Sequence, residues 1–159
     1  ELTLVPNWMP IEILKVDGKE WRTVLEQMAK YLVKKRYVKD TYVSALITRE
    51  ESYPTGIKIP TGVNVAIPHA DVEHVIKQAL VIGVPKKPVT FHNIEDPKDT
   101  VDVEIILLLV IKDPNGYVAF LSNLTRLFQD KNFVNLVKKK AYKELADLIV
   151  RNCLKGKQE

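Results

Sequence analysis

"VDVEIILLLVIKDPNG", residues 101–116, holds the longest apolar run of the chain, Ile105 to Ile111. The run is far too short to cross a bilayer and is bracketed by Asp102, Glu104 and Lys112, so it reads as a buried strand, Val101–Ile111. A strand without polar alternation must be covered on both faces, and helices are the usual cover. The residues that follow, Asp113 to Gly116, have turn chemistry. Val118, Leu121, Leu124, Thr125, Leu127 and Phe128 then recur at helical spacing, and two shorter helical patterns occupy 131–139 and 142–152.

Upstream of the run the pattern also alternates between helix and strand. Trp21, Val24, Leu25, Met28, Leu32 and Val33 form one stripe of an amphipathic helix over about 18–36. Asp40 and Thr41 offer an N-cap to a second helix carrying Val43, Leu46 and Ile47, which fades near Ser52 before Pro54. Two Pro-Thr-Gly tripeptides, 54–56 and 60–62, read as turns, because proline fixes one dihedral and glycine frees another. Residues 63–67 and 79–84 are strand-like, and "KPVTF", 87–91, is a third candidate. The expectation is an α/β protein with a mixed central sheet of about five strands and helices on both faces. At 159 residues it is one domain, 1–159.

Composition narrows the function. A single cysteine, Cys153, forms no internal disulfide, and no tripartite signal opens the sequence, which points to a reducing cytoplasm. The net charge of +4 is modest, and Lys138–Lys140 reads as the solvated side of a helix whose buried side is Leu136 and Val137. Without aromatic interleaving, nucleic acid is not an expected partner. The first amphipathic helix reads as core packing, with no direct membrane insertion. Six scattered glycines make no nucleotide-binding loop, so ATP-dependent kinase chemistry is not expected.

The stretch with chemical promise is "TGVNVAIPHAD", residues 61–71. Pro68 lacks an amide donor and biases Ile67 towards an extended conformation, so the ladder should end there, with His69 at the mouth of the strand. A neutral imidazole is a nucleophile towards phosphorus, and an ordinary pKa near 6.5 leaves much of it neutral at cytoplasmic pH. Spacing alone leaves a packed or surface histidine open as the alternative. The other candidates are weaker. His74, with Asp71 and Glu73, has the wrong spacing to stack metal ligands on a helix face. His92 follows Phe91 in what reads as a polar surface loop, and Cys153 has no neighbouring base.

"YPTGI", 53–57, followed by "GVNVAIPHAD", 62–71, resembles the active-site signature of the enzyme IIA components of the bacterial phosphotransferase system, in the fructose and mannitol superfamily and of galactitol type. The resemblance extends through "TREESYPTGI", through "PVTFHNIEDPKDTVDVEIILLLVIKDPNGYVAFLSNLTRLF" and into the closing helices. It implies that His69 accepts a phosphoryl group from the phosphocarrier HPr and passes it to a IIB component, through Nε2 by analogy. It further implies that Arg49, ahead of the first Pro-Thr-Gly turn, holds the phosphoryl oxygens, and that no metal or organic cofactor takes part. Relatives carry a second histidine in the turn before the next helix, where this chain has Tyr117. Ala66, Ile67 and Ala70 are expected to form an apolar docking face. The rival reading is a regulatory module of the same fold, in which phosphorylation of His69 controls a protein partner.

Overall fold

Apolar runs and their caps partition the chain into seven strands and five helices, in a computed structural model that describes residues 10–154. The order is β1 (Ile11–Val16), α1 (Trp21–Lys34), α2 (Tyr42–Ser52), β2 (Gly56–Ile59), β3 (Val63–Ala66), β4 (Ala79–Pro85), β5 (Val89–His92), β6 (Thr100–Val103), β7 (Ile105–Val110), α3 (Pro114–Leu127), α4 (Lys131–Lys138) and α5 (Tyr142–Ile149). A short 3-10 turn spans Val72–His74, and a π-helical turn, Val150–Leu154, follows α5. The expected domain, 1–159, runs past the described residues at both ends, at 1–9 and 155–159.

The central sheet has five strands in the order β1-β4-β7-β3-β2. It is mixed: β1 with β4 and β3 with β7 are parallel, while β4 with β7 and β2 with β3 are antiparallel. Its two faces are sorted by the two-residue period of a strand. Ile105, Leu107 and Leu109 of β7, with Leu80 and Ile82 of β4, pack against α3, α4 and α5. Ile106, Leu108 and Val110, with Ala79 and Val81, pack against α1 and α2. Helices therefore cover both faces, as the unbroken apolar run requires.

The run itself is divided. Residues 101–111 are not one strand, because β6 ends at Val103 and β7 starts after Glu104. Val101 and Val103 are buried while Thr100 and Asp102 are exposed, so β6 has one covered face; β7 has two. Glu104 donates its amide to the Asn64 carbonyl at 2.9 Å as the chain passes from one sheet to the other. A carboxylate there fits neither apolar layer, so the change of sheet falls at this residue. "KPVTF" also differs from expectation: β5 is a strand, but its strand partner is β6, in a separate two-stranded ribbon on the α1 side, with a single bridge from Thr90 to Glu20. The two remaining places in the sheet go to β1, for which no strand is expected, and to β2, which lies between the two Pro-Thr-Gly tripeptides in what reads as turn sequence.

The two tripeptides use glycine differently. Gly62 has φ of 120° and closes a turn with its amide on the Ile59 carbonyl at 2.9 Å. Gly56 has no such dihedral. A Cβ there would lie 2.6 Å from the His92 carbonyl oxygen, so glycine lets the ribbon approach β2.

Two helix starts depart from the simple turn and cap readings. Asp113 to Gly116 is an N-cap and first helical turn: the Asp113 carboxylate accepts from the Asn115 amide at 3.0 Å and Pro114 opens α3. Val118, expected in the buried stripe, is 66% exposed, while Leu124 and Leu127 are buried as expected and Phe120 joins them. Thr41 occupies the N-cap position of α2, but its hydroxyl makes no cap bond. It sits 2.8 Å from Nδ1 of His74 and ties α2 to the 3-10 turn. No helix among the described residues is long and apolar enough to cross a membrane.

Candidate functional site

Three chain segments meet at one end of the sheet. β3 finishes at Ala66, the Ile67 amide extends its ladder by one bond to the Thr55 carbonyl at 3.3 Å, and Pro68 stops it. His69 follows. The neighbouring parallel strand, β7, pairs with β3 at its start, runs on in the same direction to Val110 and leads through Asp113 into α3, which carries Tyr117 in its first turn, within the helix rather than before it. The last turn of α2 brings Arg49 and Glu50.

Tyr117 and His69 touch directly. The phenol hydroxyl is hydrogen-bonded to Nδ1 of the imidazole, and the ring centroids are 4.2 Å apart at a tilt of 43°. Arg49 lies with its guanidinium 5.0 Å over the ring of Tyr53 and its Nη1 4.0 Å from the Asp71 carboxylate. Its Nε is buried and has no hydrogen-bond partner among the described residues. The guanidinium is thus held by stacking and a long ion pair, with donors unspent.

Burial, and secondarily the Arg49 charge, lower the His69 pKa to about 4, against weaker pulls from the Ile67 carbonyl and Asp71. The ring is neutral at pH 7. Burial pushes the Tyr117 phenol well above its ordinary range, despite Arg49, so the hydroxyl keeps its proton. A neutral imidazole, a protonated phenol and a fixed cation form a site able to receive an anion and to attack an electrophile.

Glu50, at the end of α2, belongs to the same cluster although no motif in the sequence singles it out. It is 3% exposed. Its carboxylate accepts from the Thr55 amide at 2.8 Å and from the Thr55 hydroxyl at 2.9 Å. Burial raises its pKa to about 7, opposed by those bonds and by Arg49. The available signal was a carboxylate five residues ahead of the threonine of a Pro-Thr-Gly turn, a spacing that lets a helix end reach its own exit loop.

The remaining candidates fall away from this cluster. His74 is engaged by Thr41 and lies 3.4 Å from Glu73, and no group of three metal-ligating side chains exists among the described residues. His92 ends β5 instead of lying in a loop, with Nδ1 2.8 Å from the Pro97 carbonyl. Cys153 is fully buried, and burial pushes its thiol up to about 12. The expected docking face requires correction, since Ala66 and Ile67 are buried beneath the loop. Among the described residues the exposed large apolar side chains are Tyr53, Ile76, Ile94 and Val118. Tyr53 supports Arg49, Val118 follows Tyr117, Ile94 binds the Gly56 carbonyl beside Thr55, and Ile76 precedes the start of β4. Strand directions put all four at the His69 end of the sheet.

Residues 11–152 match the family described as the phosphoenolpyruvate-dependent sugar phosphotransferase system, EIIA 2. Over 119 residues the chain is 31% identical to the galactitol-specific EIIA component of the phosphotransferase system of Escherichia coli K12, covering 75% of this chain and 76% of that protein. The mannitol-specific cryptic phosphotransferase enzyme IIA of Escherichia coli superimposes with a TM-score of 0.62 at 19% identity, over 93% of this chain and 96% of that one. Enzyme IIA in the complex with phosphorylated enzyme IIB, for mannitol in Escherichia coli, gives 0.61 at 21% identity, over 79% and 84%. The nitrogen regulatory protein IIA-Ntr of Neisseria meningitidis gives 0.60 at 22%, over 80% and 83%. At these identities the structures establish the shared fold.

Proposed function

We propose that this chain, which belongs to the EIIA 2 family of the phosphoenolpyruvate-dependent sugar phosphotransferase system, carries a phosphoryl group on His69 between phospho-HPr and a IIB component. The observation that carries the reading is the contact of Tyr117 with Nδ1 of His69, beside an Arg49 with donors to spare. With Nδ1–H donating to the phenol oxygen, the lone pair lies on Nε2. That nitrogen attacks phosphorus in line, the phosphorus–nitrogen bond of the donor's phosphohistidine breaks, and its electron pair returns to the donor imidazole. The next transfer, to IIB, runs the same step outward. Arg49 meets the phosphoryl oxygens, and Tyr117 keeps the ring oriented. A loose, metaphosphate-like state needs alignment and fixed positive charge more than acid or base chemistry, and this site is built for that.

The polyol is galactitol or a close relative, on the strength of the identity to the galactitol-specific component, and the carrier works in the cytoplasm. The four exposed apolar side chains at the His69 end support docking of protein partners by brief apolar contact. The regulatory reading gains nothing from the IIA-Ntr likeness, which concerns the fold. Incubation with enzyme I, HPr and phosphoenolpyruvate tests the proposal. His69→Ala should abolish labelling while the protein stays folded, and label persisting on His74 or His92 would sink it.

A further inference from the structure

We infer that Glu50 is a positioning residue, holding the His69 strand exit in register with Arg49 through Thr55. The inference rests on the phosphocarrier reading for its consequence, but its geometry stands apart. Arg49 and Glu50 are consecutive at the end of α2, so whatever anchors Glu50 also fixes where the guanidinium starts. The Glu50 carboxylate takes both donors of Thr55, the amide and the hydroxyl. The Thr55 carbonyl in turn accepts from the Ile67 amide, two residues before His69. Immediately beyond, Gly56 pairs with Ala66. One carboxylate thus links the helix that bears the cation to the strand that bears the nucleophile.

A carboxylate buried this deeply is a costly anchor, and an apolar staple would hold a loop with less desolvation. What the carboxylate adds is direction. Two short bonds to one residue fix the orientation of the Thr55 peptide, hence the angle at which Ile67 joins the ladder, and apolar contact would not. The groups acting on Glu50 are Thr55 and Arg49, and its own charge reaches Tyr117. Those acting on His69 are Arg49, the Ile67 carbonyl and Asp71, together with burial. Glu50 is absent from the second set. An effect of Glu50 on the His69 imidazole therefore runs through its neighbours, by the Thr55 link, by Arg49 or by Tyr117, and the charge-neutral Thr55 pair isolates the first route.

Thr55→Val removes the hydroxyl without changing charge or volume much, and Thr55→Ser retains it. In the unphosphorylated protein, an NMR titration should show the His69 midpoint rising from about 4 towards the ordinary 6.5 in Thr55→Val and staying near 4 in Thr55→Ser. Glu50→Gln should raise it too, although removing a negative charge acts directly only in the opposite direction. Single-turnover transfer from phospho-HPr should fall about tenfold or more in Thr55→Val and Glu50→Gln, the scale expected for a misplaced reacting group, and recover in Thr55→Ser. The double variant should be no slower than the slower single one, because both break one link. A folded Thr55→Val with its midpoint near 4 and a wild-type rate overturns the inference. Should Glu50→Gln fail to fold, the charge-neutral Thr55 pair decides alone. If the wild-type protein takes no phosphoryl group at all, the carrier reading fails, while the titration still decides the positioning.

Discussion

At the residue scale the site turns on how His69 is kept neutral and how Tyr117 is used. Burial and Arg49 together remove the imidazole from the range in which it would be protonated in the cell. A second histidine at position 117 would compete for protons with the first. A phenol held above its ordinary pKa orients the ring and brings no charge. Tyr117→Phe, which deletes only the hydroxyl, should slow transfer from phospho-HPr about tenfold, the cost of one hydrogen bond worth about 1–1.5 kcal/mol. Single-turnover kinetics measure this directly, and an unchanged rate would reduce Tyr117 to packing. His69 was legible from the proline before it, a local signal, whereas Arg49 and Tyr117 became candidates only through the family resemblance. Glu50 has only its spacing to Thr55 as a signal, because one of its two partners there is a backbone amide whose direction no sequence pattern states.

At the element scale, close approach explains more than dihedral freedom does. Gly56 sits where the β5–β6 ribbon crosses the start of β2, and the contact opposing a side chain is a backbone oxygen that cannot rotate away. Gly56→Ala should therefore cost about 1–3 kcal/mol by overpacking, read as a lowered urea midpoint with an unchanged slope. Because Thr55 is adjacent, transfer activity should fall in the same variant. Gly83 makes a useful control: a Cβ there meets the end of Met28, a flexible side chain, at 2.8 Å, so Gly83→Ala should be the milder change. If Gly56→Ala is as stable as wild type, the ribbon does not depend on that approach. The expected element boundaries held where a proline stops a ladder, as at Pro68, and failed at Asp113–Gly116, a helix start read as a turn, and at Glu104, where pairing decides.

At the scale of the whole molecule, His69 and Glu50 make opposing demands on pH. The folded-state pKa of His69, about 4, lies below the ordinary 6.5, so the unfolded chain binds more protons between those values and this contribution to stability is lost as pH falls. The Glu50 value, about 7, lies above the ordinary 4.5, so the folded chain holds the extra proton and this contribution is lost as pH rises. The two partly cancel between about pH 4.5 and 6.5. His69→Gln removes one side of the balance. The melting temperature of wild type relative to the variant should drop by about 5 °C from pH 7 to pH 4, on the order of 2 kcal/mol after allowance for partial exposure. Parallel curves would show that His69 is not held neutral by the fold. By itself the sequence determined the layered architecture, a strand with two covered faces in the apolar run 105–111, though not its separation from 101–103, and the proline that ends β3 before His69. Each of these follows from side-chain period or backbone chemistry within a few residues. Only the tertiary structure decided that β1 and β2 complete the sheet, that β5 leaves it, that Ala66 and Ile67 lie beneath the site, and that Glu50 reaches Thr55. Those depend on which distant segments share a ladder, and hydrophobic pattern records that a face is buried without recording what buries it.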